Sequence, residues 1–171
     1  MKLKAILIVV FALVLIGIQN GLLRFLGGGV FSLSLAIPCI VFLGLEDGSI
    51  ESAVTSAGVG YLLDVFAGGP KGLMTFLAVA LFLMMRLVGA AIDVRGRTSF
   101  AVLSGVGTFL FGLGALLFLR VVSPPELAPG YRLLPRLFLD GLLTGMVAPV
   151  IGLVMRWIDG LFKREEPGLL S

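Results

Sequence analysis

The chain has 171 residues, of which 58% are apolar and only 13% are charged, and its mean hydropathy is +1.14. In soluble domains about a quarter of the residues are charged, so this composition excludes an ordinary soluble fold and favours a membrane protein. The net charge of +3 comes from basic residues near the ends of apolar segments. That distribution is typical of topology signals and lipid contact, and no nucleic-acid partner is expected.

Six apolar segments follow one another along the chain, separated by glycine, proline and charged residues. A helix needs about 20 mostly apolar residues to cross a bilayer. The predicted spans are residues 4–23, 30–45, 49–66, 72–92, 99–120 and 134–162. We therefore predict an all-α integral membrane protein, in which a bundle of six transmembrane helices forms one domain over residues 1–171.

The first two segments allow more than one interpretation. The first has the basic start and apolar run of a signal peptide, but Gln19-Asn20-Gly21 stands where a small-residue cleavage site would follow, so we interpret it as a retained span. The second is short and is interpreted as broken by Pro38, so it either crosses the membrane or is re-entrant. With six spans and the N-terminus in the cytoplasm, both termini are cytoplasmic and the basic residues show a modest excess on that side.

Small and polar residues recur at every fourth position of the third span. Steps of four keep side chains on one face of a helix, and small residues let membrane helices approach closely. We predict that this stripe packs against another helix or a partner. Its residues are Ser52, Ser56, Gly60, Asp64 and Gly68, with Gly72 opening the next span. For Asp64, capping of the following turn or pairing with Lys71 stands against a functional carboxylate in a cavity.

Arg86 lies well inside the fourth span, where a charge is costly unless it finds a partner. On the predicted topology it is near the cytoplasmic side, far from Asp64. Better placed are three acidic residues at the junction of the second and third spans: Glu46, Asp47 and Glu51. We predict ion pairing of Arg86 with these residues, and the alternative is that its side chain reaches the cytoplasmic head groups.

A second group of charges lies at the outer ends of the last two spans. Arg136 and Asp140 are four residues apart and can meet on one helix face, and Arg120 ends the fifth span. Together with Asp64 and Lys71 they form a predicted outer polar cluster.

The sixth span has its own small-residue face. Gly141, Gly145 and Pro149 are again spaced by four. We predict that they serve helix packing or partner contact, and that Pro149 kinks the helix unless its neighbours satisfy the freed carbonyl.

Motifs for catalysis are missing from the sequence. There is no P-loop, no Gly-x-Ser-x-Gly and no His-Glu-x-x-His. Histidine is absent and Cys39 is the single cysteine, so the usual metal ligands are scarce. We expect no catalytic, cofactor-binding or metal-binding residues, and we predict that the protein is not an enzyme.

The segment SAGVGYLLDVFAGGPKGL, residues 56–73, resembles the signature of the bacterial rod shape-determining protein MreD family. That signature has a Gly-Leu-x-x-Asp-like helix end, a glycine-containing turn, and Leu-Gly or similar opening the next span. Gly60, Asp64, Gly68 and Gly72 fit it, and the final span from Asp140 to a basic tail is also similar. The sequence departs from many relatives at residues 29–34, where they have Pro-Asp or Pro-Asn, and at position 56, where they often have glycine.

The resemblance implies a non-enzymatic member of the cell-elongation machinery in the bacterial inner membrane. Such a protein would bind the bitopic protein MreC. It would help couple cytoplasmic MreB filaments to the RodA glycosyltransferase, its penicillin-binding transpeptidase and peptidoglycan synthesis. Membrane lipids would surround it.

The fold of that family is also similar to the six-helix substrate-binding subunit of energy-coupling-factor vitamin transporters. This suggests an alternative function, the capture of a small molecule in an outer pocket. The outer polar cluster would line that pocket. However, the spans are poor in Asn, Gln, Trp and His, the side chains a solute pocket would use, so the partner-binding role is preferred.

Overall fold

The structure, a computed structural model, describes residues 2–25, 34–46, 49–67, 70–91, 96–122 and 133–163. Within these residues the chain forms six α-helices. In chain order they are α1 (Lys2–Phe25), α2 (Ile37–Glu46), α3 (Ile50–Ala67), α4 (Leu73–Ala91), α5 (Arg97–Val122) and α6 (Leu134–Lys163). The prediction of an all-α protein with six helices is confirmed for the described residues.

Five helices begin and end within two residues of the predicted bounds, and α2 is the exception. It begins at Ile37 rather than at residue 30, and residues 30–33 of the predicted span lie outside the described residues. Pro38 is in the first turn of α2, where its missing N–H breaks no helical hydrogen bond, so this proline marks the start of a helix. The ten residues of α2 extend only about 15 Å, half of the ~30 Å hydrocarbon core.

Among the described residues, three helices are long and apolar enough to cross a membrane: α4, α5 and α6. Their outward faces carry large apolar side chains, including Leu87, which is 71% exposed, and Met146, which is 77% exposed. Val10 on α1 and Val54 on α3 are exposed in the same way. Soluble monomers rarely expose so much contiguous apolar surface, whereas lipid accommodates it. These features indicate a membrane protein.

The short helix α2 lies at the centre of the bundle. Its residues from Ile37 to Gly44 are buried, and it packs against α3, α4, α5 and α6. At Gly44 the backbone approaches α4 so closely that a Cβ would lie 2.8 Å from a carbonyl oxygen of that helix. Phe42 meets Phe100 of α5 edge to face, with ring centroids 6.3 Å apart, a favoured aromatic geometry.

Two antiparallel helix pairs, α3 with α4 and α5 with α6, make the most extensive contacts around this centre. The first pair is joined through residues 68–72, of which residues 70–72 are described and form a turn before α4. The second is joined through residues 123–132, which lie outside the described residues. The helix α1 packs against α3 and α6, and the amide oxygen of Gln19 accepts a hydrogen bond from the Leu35 N–H at 3.1 Å, which fixes α1 to the start of α2.

Candidate functional site

Asp64, near the end of α3, binds the first turn of α4. Its Oδ1 accepts the Met74 N–H at 2.8 Å, and its Oδ2 accepts the Thr75 N–H at 3.0 Å and the Thr75 hydroxyl at 2.5 Å. The first N–H groups of a helix have no partner inside the helix, and a negative charge is favourable there. Among the roles predicted for Asp64, the structure therefore shows capping, while Lys71 is exposed.

The turn that precedes α4 satisfies the rest of its first turn. The Leu73 N–H donates to the Pro70 carbonyl at 3.3 Å, and the Phe76 N–H donates to the Gly72 carbonyl at 2.9 Å. Gly72 has a φ of +91°, in the left-handed region that favours glycine. Nothing lies within 4 Å of where its Cβ would be. Gly72 was predicted to contact a helix or a partner; in the structure it makes no close helix contact and serves the conformation of the turn.

Gly60 is where α3 and α4 approach most closely along the predicted stripe. A Cβ there would lie 2.7 Å from both the Thr75 Cα and the Ala78 Cβ, and 3.0 Å from the Met74 carbonyl oxygen. Real Cβ atoms do not come this close to a backbone. This part of the stripe therefore packs against α4 of the same chain.

The other members of the stripe have separate roles. The Ser52 N–H donates to the Ser49 hydroxyl at 3.2 Å, and the two hydroxyls are 3.0 Å apart, so Ser49 caps α3. Ser56 is fully buried, and its hydroxyl has no hydrogen-bond partner in the part of the chain that the structure describes. Gly68 lies outside the described residues.

Gly141 and Gly145 of α6 pack directly on α5. A Cβ on Gly141 would lie 2.8 Å from the Gly105 carbonyl oxygen, and one on Gly105 would lie 2.9 Å from the Gly141 carbonyl oxygen. A Cβ on Gly145 would lie 3.0 Å from the Ala101 carbonyl oxygen. The two backbones are thus in contact, as small residues permit. Pro149 lies further along α6, which continues as a helix through it.

An apolar groove opens outward along this crossing, with a volume of about 620 Å³. The three glycines of the crossing lie in it, and Val106, Leu142 and Met146 beside them are exposed. The rings of Phe109 and Phe138, which also line the groove, meet edge to face with centroids 6.5 Å apart. Its full lining is Ala101, Val102, Gly105, Val106, Phe109, Phe138, Gly141, Leu142, Gly145, Met146 and Pro149.

A second space, of about 380 Å³, lies between the helices. Its polar lining consists of Gln19, Ser34, Thr108, Arg136 and Asp140, and aliphatic side chains form most of the rest. Asp64, Lys71 and Arg120 are not among the residues that line it. Two members of the predicted outer polar cluster, Arg136 and Asp140, therefore share the cavity, whereas the carboxylate of Asp64 is used apart from them by the start of α4. Arg120 is engaged in an interaction of its own.

The predicted ion pair of Arg86 with Glu46 or Glu51 is not formed among the described residues, and Asp47, the third predicted partner, lies outside them. Glu46 pairs instead with Arg156 of α6, at 3.2 Å between Oε1 and Nε. The reason is the packing of α2 against α6, which brings Arg156 to the end of α2, while Arg86 is exposed on the outer face of α4. Glu51 lies in the first turn of α3, where a negative charge is favourable.

Sequence reasoning missed several residues of these sites. Gln19 is a polar residue inside an apolar helix, and this alone marks it for a specific contact. Thr144 is similar: it is buried, and its hydroxyl accepts the Ser34 N–H at 3.4 Å. Gly105 had no such signal, since glycines are frequent throughout the chain and only the register of α5 against α6 distinguishes it.

Among the described residues, no group of three or more His, Cys, Asp and Glu side chains is placed to hold a metal ion. Comparison with known proteins identifies no relative, because no protein-family model, no curated protein and no solved structure matches the chain.

Proposed function

We propose that this protein is a non-enzymatic, six-span component of the bacterial inner membrane, similar to MreD, with both termini in the cytoplasm. It binds a bitopic partner of the MreC type. Through that partner it helps couple MreB filaments to RodA, the elongation transpeptidase and peptidoglycan synthesis, and so contributes to cell shape. The resemblance of residues 56–73 to the MreD signature supports the choice of family.

Three of the residues that carry the resemblance act on the same helix pair. Gly60 brings α3 against α4, Asp64 caps α4, and Gly72 has the φ that the turn before α4 requires. The carboxylate of Asp64, the acidic group of this segment, is used in hydrogen bonds to its own chain. A motif that holds two helices together supports a scaffold role better than a catalytic one.

The groove on α5 and α6 is the observation that carries the proposal. Between Phe138 and Pro149 it runs about 16 Å along α6, roughly half of the hydrocarbon core. Its glycine-lined crossing lets another backbone approach, and close packing is what drives helix association in lipid. We assign the single transmembrane helix of the partner to this groove.

Co-purification with MreC from the membrane tests the proposal. Tryptophan is introduced at Met146 or Val106, which are exposed in the groove. Each substitution fills the groove without changing the glycines. We expect the wild-type protein to capture MreC. Each groove variant should capture at least about tenfold less MreC, as for a blocked interface anchor.

Leu87→Trp provides the matched control, because Leu87 is 71% exposed, close to the 77% of Met146, but lies on α4; this variant should retain MreC. If the wild-type protein captures no MreC, the assignment to the elongation machinery is wrong. If MreC is captured equally by all variants, the partner binds elsewhere. Capture of an ATPase module together with tight vitamin binding would instead favour the transporter subunit.

A further inference from the structure

The second cavity, which lies between the helices and is lined by Arg136 and Asp140, is an elongated space. On α5 its lining extends from Thr108 to Leu119, about 16 Å along the helix axis. Its volume of about 380 Å³ lies at the lower end of the ~300–1,000 Å³ of small-ligand sites. It therefore has room for one small molecule or one chain, and not for a whole two-chain phospholipid.

Most polar groups of the cavity are already used by the protein. The Gln19 amide oxygen accepts the Leu35 N–H, and the Thr108 hydroxyl donates to the Ser104 carbonyl at 2.8 Å. Asp140 is only 3% exposed and is engaged in an interaction within the chain. These contacts fix the walls of the cavity.

Arg136 differs from the other polar residues that line the cavity. Its side chain is half-buried and lines the cavity, and no other described residue forms a hydrogen bond or ion pair with it. A guanidinium carries five N–H donors in a planar fork that matches carboxylate and phosphate. Placed among leucines, such a group is costly without an anion.

We propose that this cavity binds an amphiphile with one alkyl chain and an anionic head group. The head group binds the guanidinium of Arg136, and the chain lies among Leu116, Leu119 and Leu137, which line the same space. This site is separate from the α5–α6 groove and does not depend on binding of MreC. The ligand reaches it either from water or from the lipid, and both sources share this chemistry.

Binding is measured with the full chain in phosphatidylcholine nanodiscs. The soluble probe is n-octyl phosphate, followed by saturation-transfer NMR, with octanol and octyltrimethylammonium as neutral and cationic counterparts. In a second arm, lysophosphatidate is placed in the disc and detected on the protein by native mass spectrometry. We expect saturable binding of octyl phosphate or of lysophosphatidate, at least tenfold tighter than that of octanol or octyltrimethylammonium. Binding of the soluble probe indicates that the ligand enters from water, and binding of lysophosphatidate indicates that it enters from the lipid.

Three variants test the assignment to Arg136. Arg136→Gln should weaken binding about tenfold or more, Arg136→Lys should retain most of it, and Ala115→Phe should abolish it by filling the cavity that Ala115 lines. Arg86→Gln removes an exposed arginine that does not line the cavity and should bind as the wild type does. Absence of saturable binding in both arms, unchanged affinity in Arg136→Gln, or preference for octyltrimethylammonium would each overturn the proposal. Partner capture by Arg136→Gln should be unchanged, which separates this result from the test of the groove.

Discussion

The helix pairs α3–α4 and α5–α6 solve the same packing problem in two ways. Both bring backbones into contact at glycines, Gly60 in the first pair and Gly105 with Gly141 in the second. The first pair is also fixed at one end by a carboxylate, since Asp64 of α3 binds two N–H groups of α4. For the second pair, the contact described at the crossing is backbone against backbone.

This difference shows what each pair can tolerate. In lipid, apolar side chains gain little by leaving the membrane, so helix association depends on close packing and polar bonds. The α3–α4 pair has both kinds of interaction, the close contact at Gly60 and the hydrogen bonds of Asp64. The α5–α6 pair depends on the fit of its glycines, and the same absence of side chains leaves an open groove beside it. We therefore expect the two pairs to respond differently to substitution.

The largest expected effect is that of Gly60→Leu. The new side chain would begin 2.7 Å from the Thr75 Cα, so the backbones of α3 and α4 must separate, at a cost beyond the about 1–3 kcal/mol typical of overpacking. We expect loss of the folded protein in size-exclusion chromatography in detergent. Gly17→Leu is the control, because nothing lies within 4 Å of a Cβ at Gly17, and it should elute as the wild type does. A folded, equally stable Gly60→Leu protein would show that this contact is dispensable.

Gly105→Ala and Gly141→Ala come next. Each adds one methyl group opposite a carbonyl oxygen of the partner helix, and we expect each to destabilise the protein by about 1–3 kcal/mol in SDS-induced unfolding. Because one methyl group already moves the helices apart, the double variant should cost less than the sum of the two. Gly58→Ala, whose Cβ would meet only a Val9 methyl at 3.6 Å, should have little effect. Strict additivity would argue against a shared contact.

Removal of the cap should have an intermediate effect. Asp64→Ala leaves the Met74 and Thr75 N–H groups without their acceptor, and we expect about 0.5–2 kcal/mol of lost stability, as for other N-terminal caps. Thr75→Val removes only the hydroxyl bond to Asp64 and should cost less. Thermal unfolding in one detergent compares them. If Thr75→Val costs more than Asp64→Ala, the backbone donors are not the main partners of this carboxylate.

The smallest expected effect is at the Glu46–Arg156 ion pair. Both side chains are more than one-third exposed, and exposed pairs contribute about 0–1 kcal/mol. A double-mutant cycle with Glu46→Gln and Arg156→Gln should give a coupling energy below about 1 kcal/mol that decreases as salt increases. A second cycle, which combines Glu46→Gln with Arg86→Gln, should give no coupling energy. Coupling between Glu46 and Arg86 would restore the pair predicted from the sequence.

The helices themselves could be predicted because their ends carry local signals. Glycine, proline and charge mark where α3, α4, α5 and α6 begin and end. The capping role of Asp64 was one of the predicted alternatives, because its partner Met74 is only ten positions further along the chain. Pro38 was misjudged because a proline in the first turn and one that breaks a span look alike in the sequence.

The contacts between distant helices could not be predicted in the same way. When lipid surrounds a bundle, the inner and outer faces of a helix are both apolar, so hydropathy does not reveal its rotation. On α3, Val59 is fully buried and Val54 is 67% exposed, although both are valines. The pairing of Glu46 with Arg156 across 110 positions, the division of the outer polar cluster and the position of the cavity all depend on that rotation.

The central position of α2 has a consequence for the synthesis of the chain. Its four packing partners, α3, α4, α5 and α6, all follow it in the sequence and therefore leave the ribosome later. The surface of α2 is not fully enclosed until α6 has been made, near residue 134 and beyond. While the helices between them are being made, α2 therefore lacks part of its final packing surface, and the synthesis of α6 supplies the last of these four neighbours.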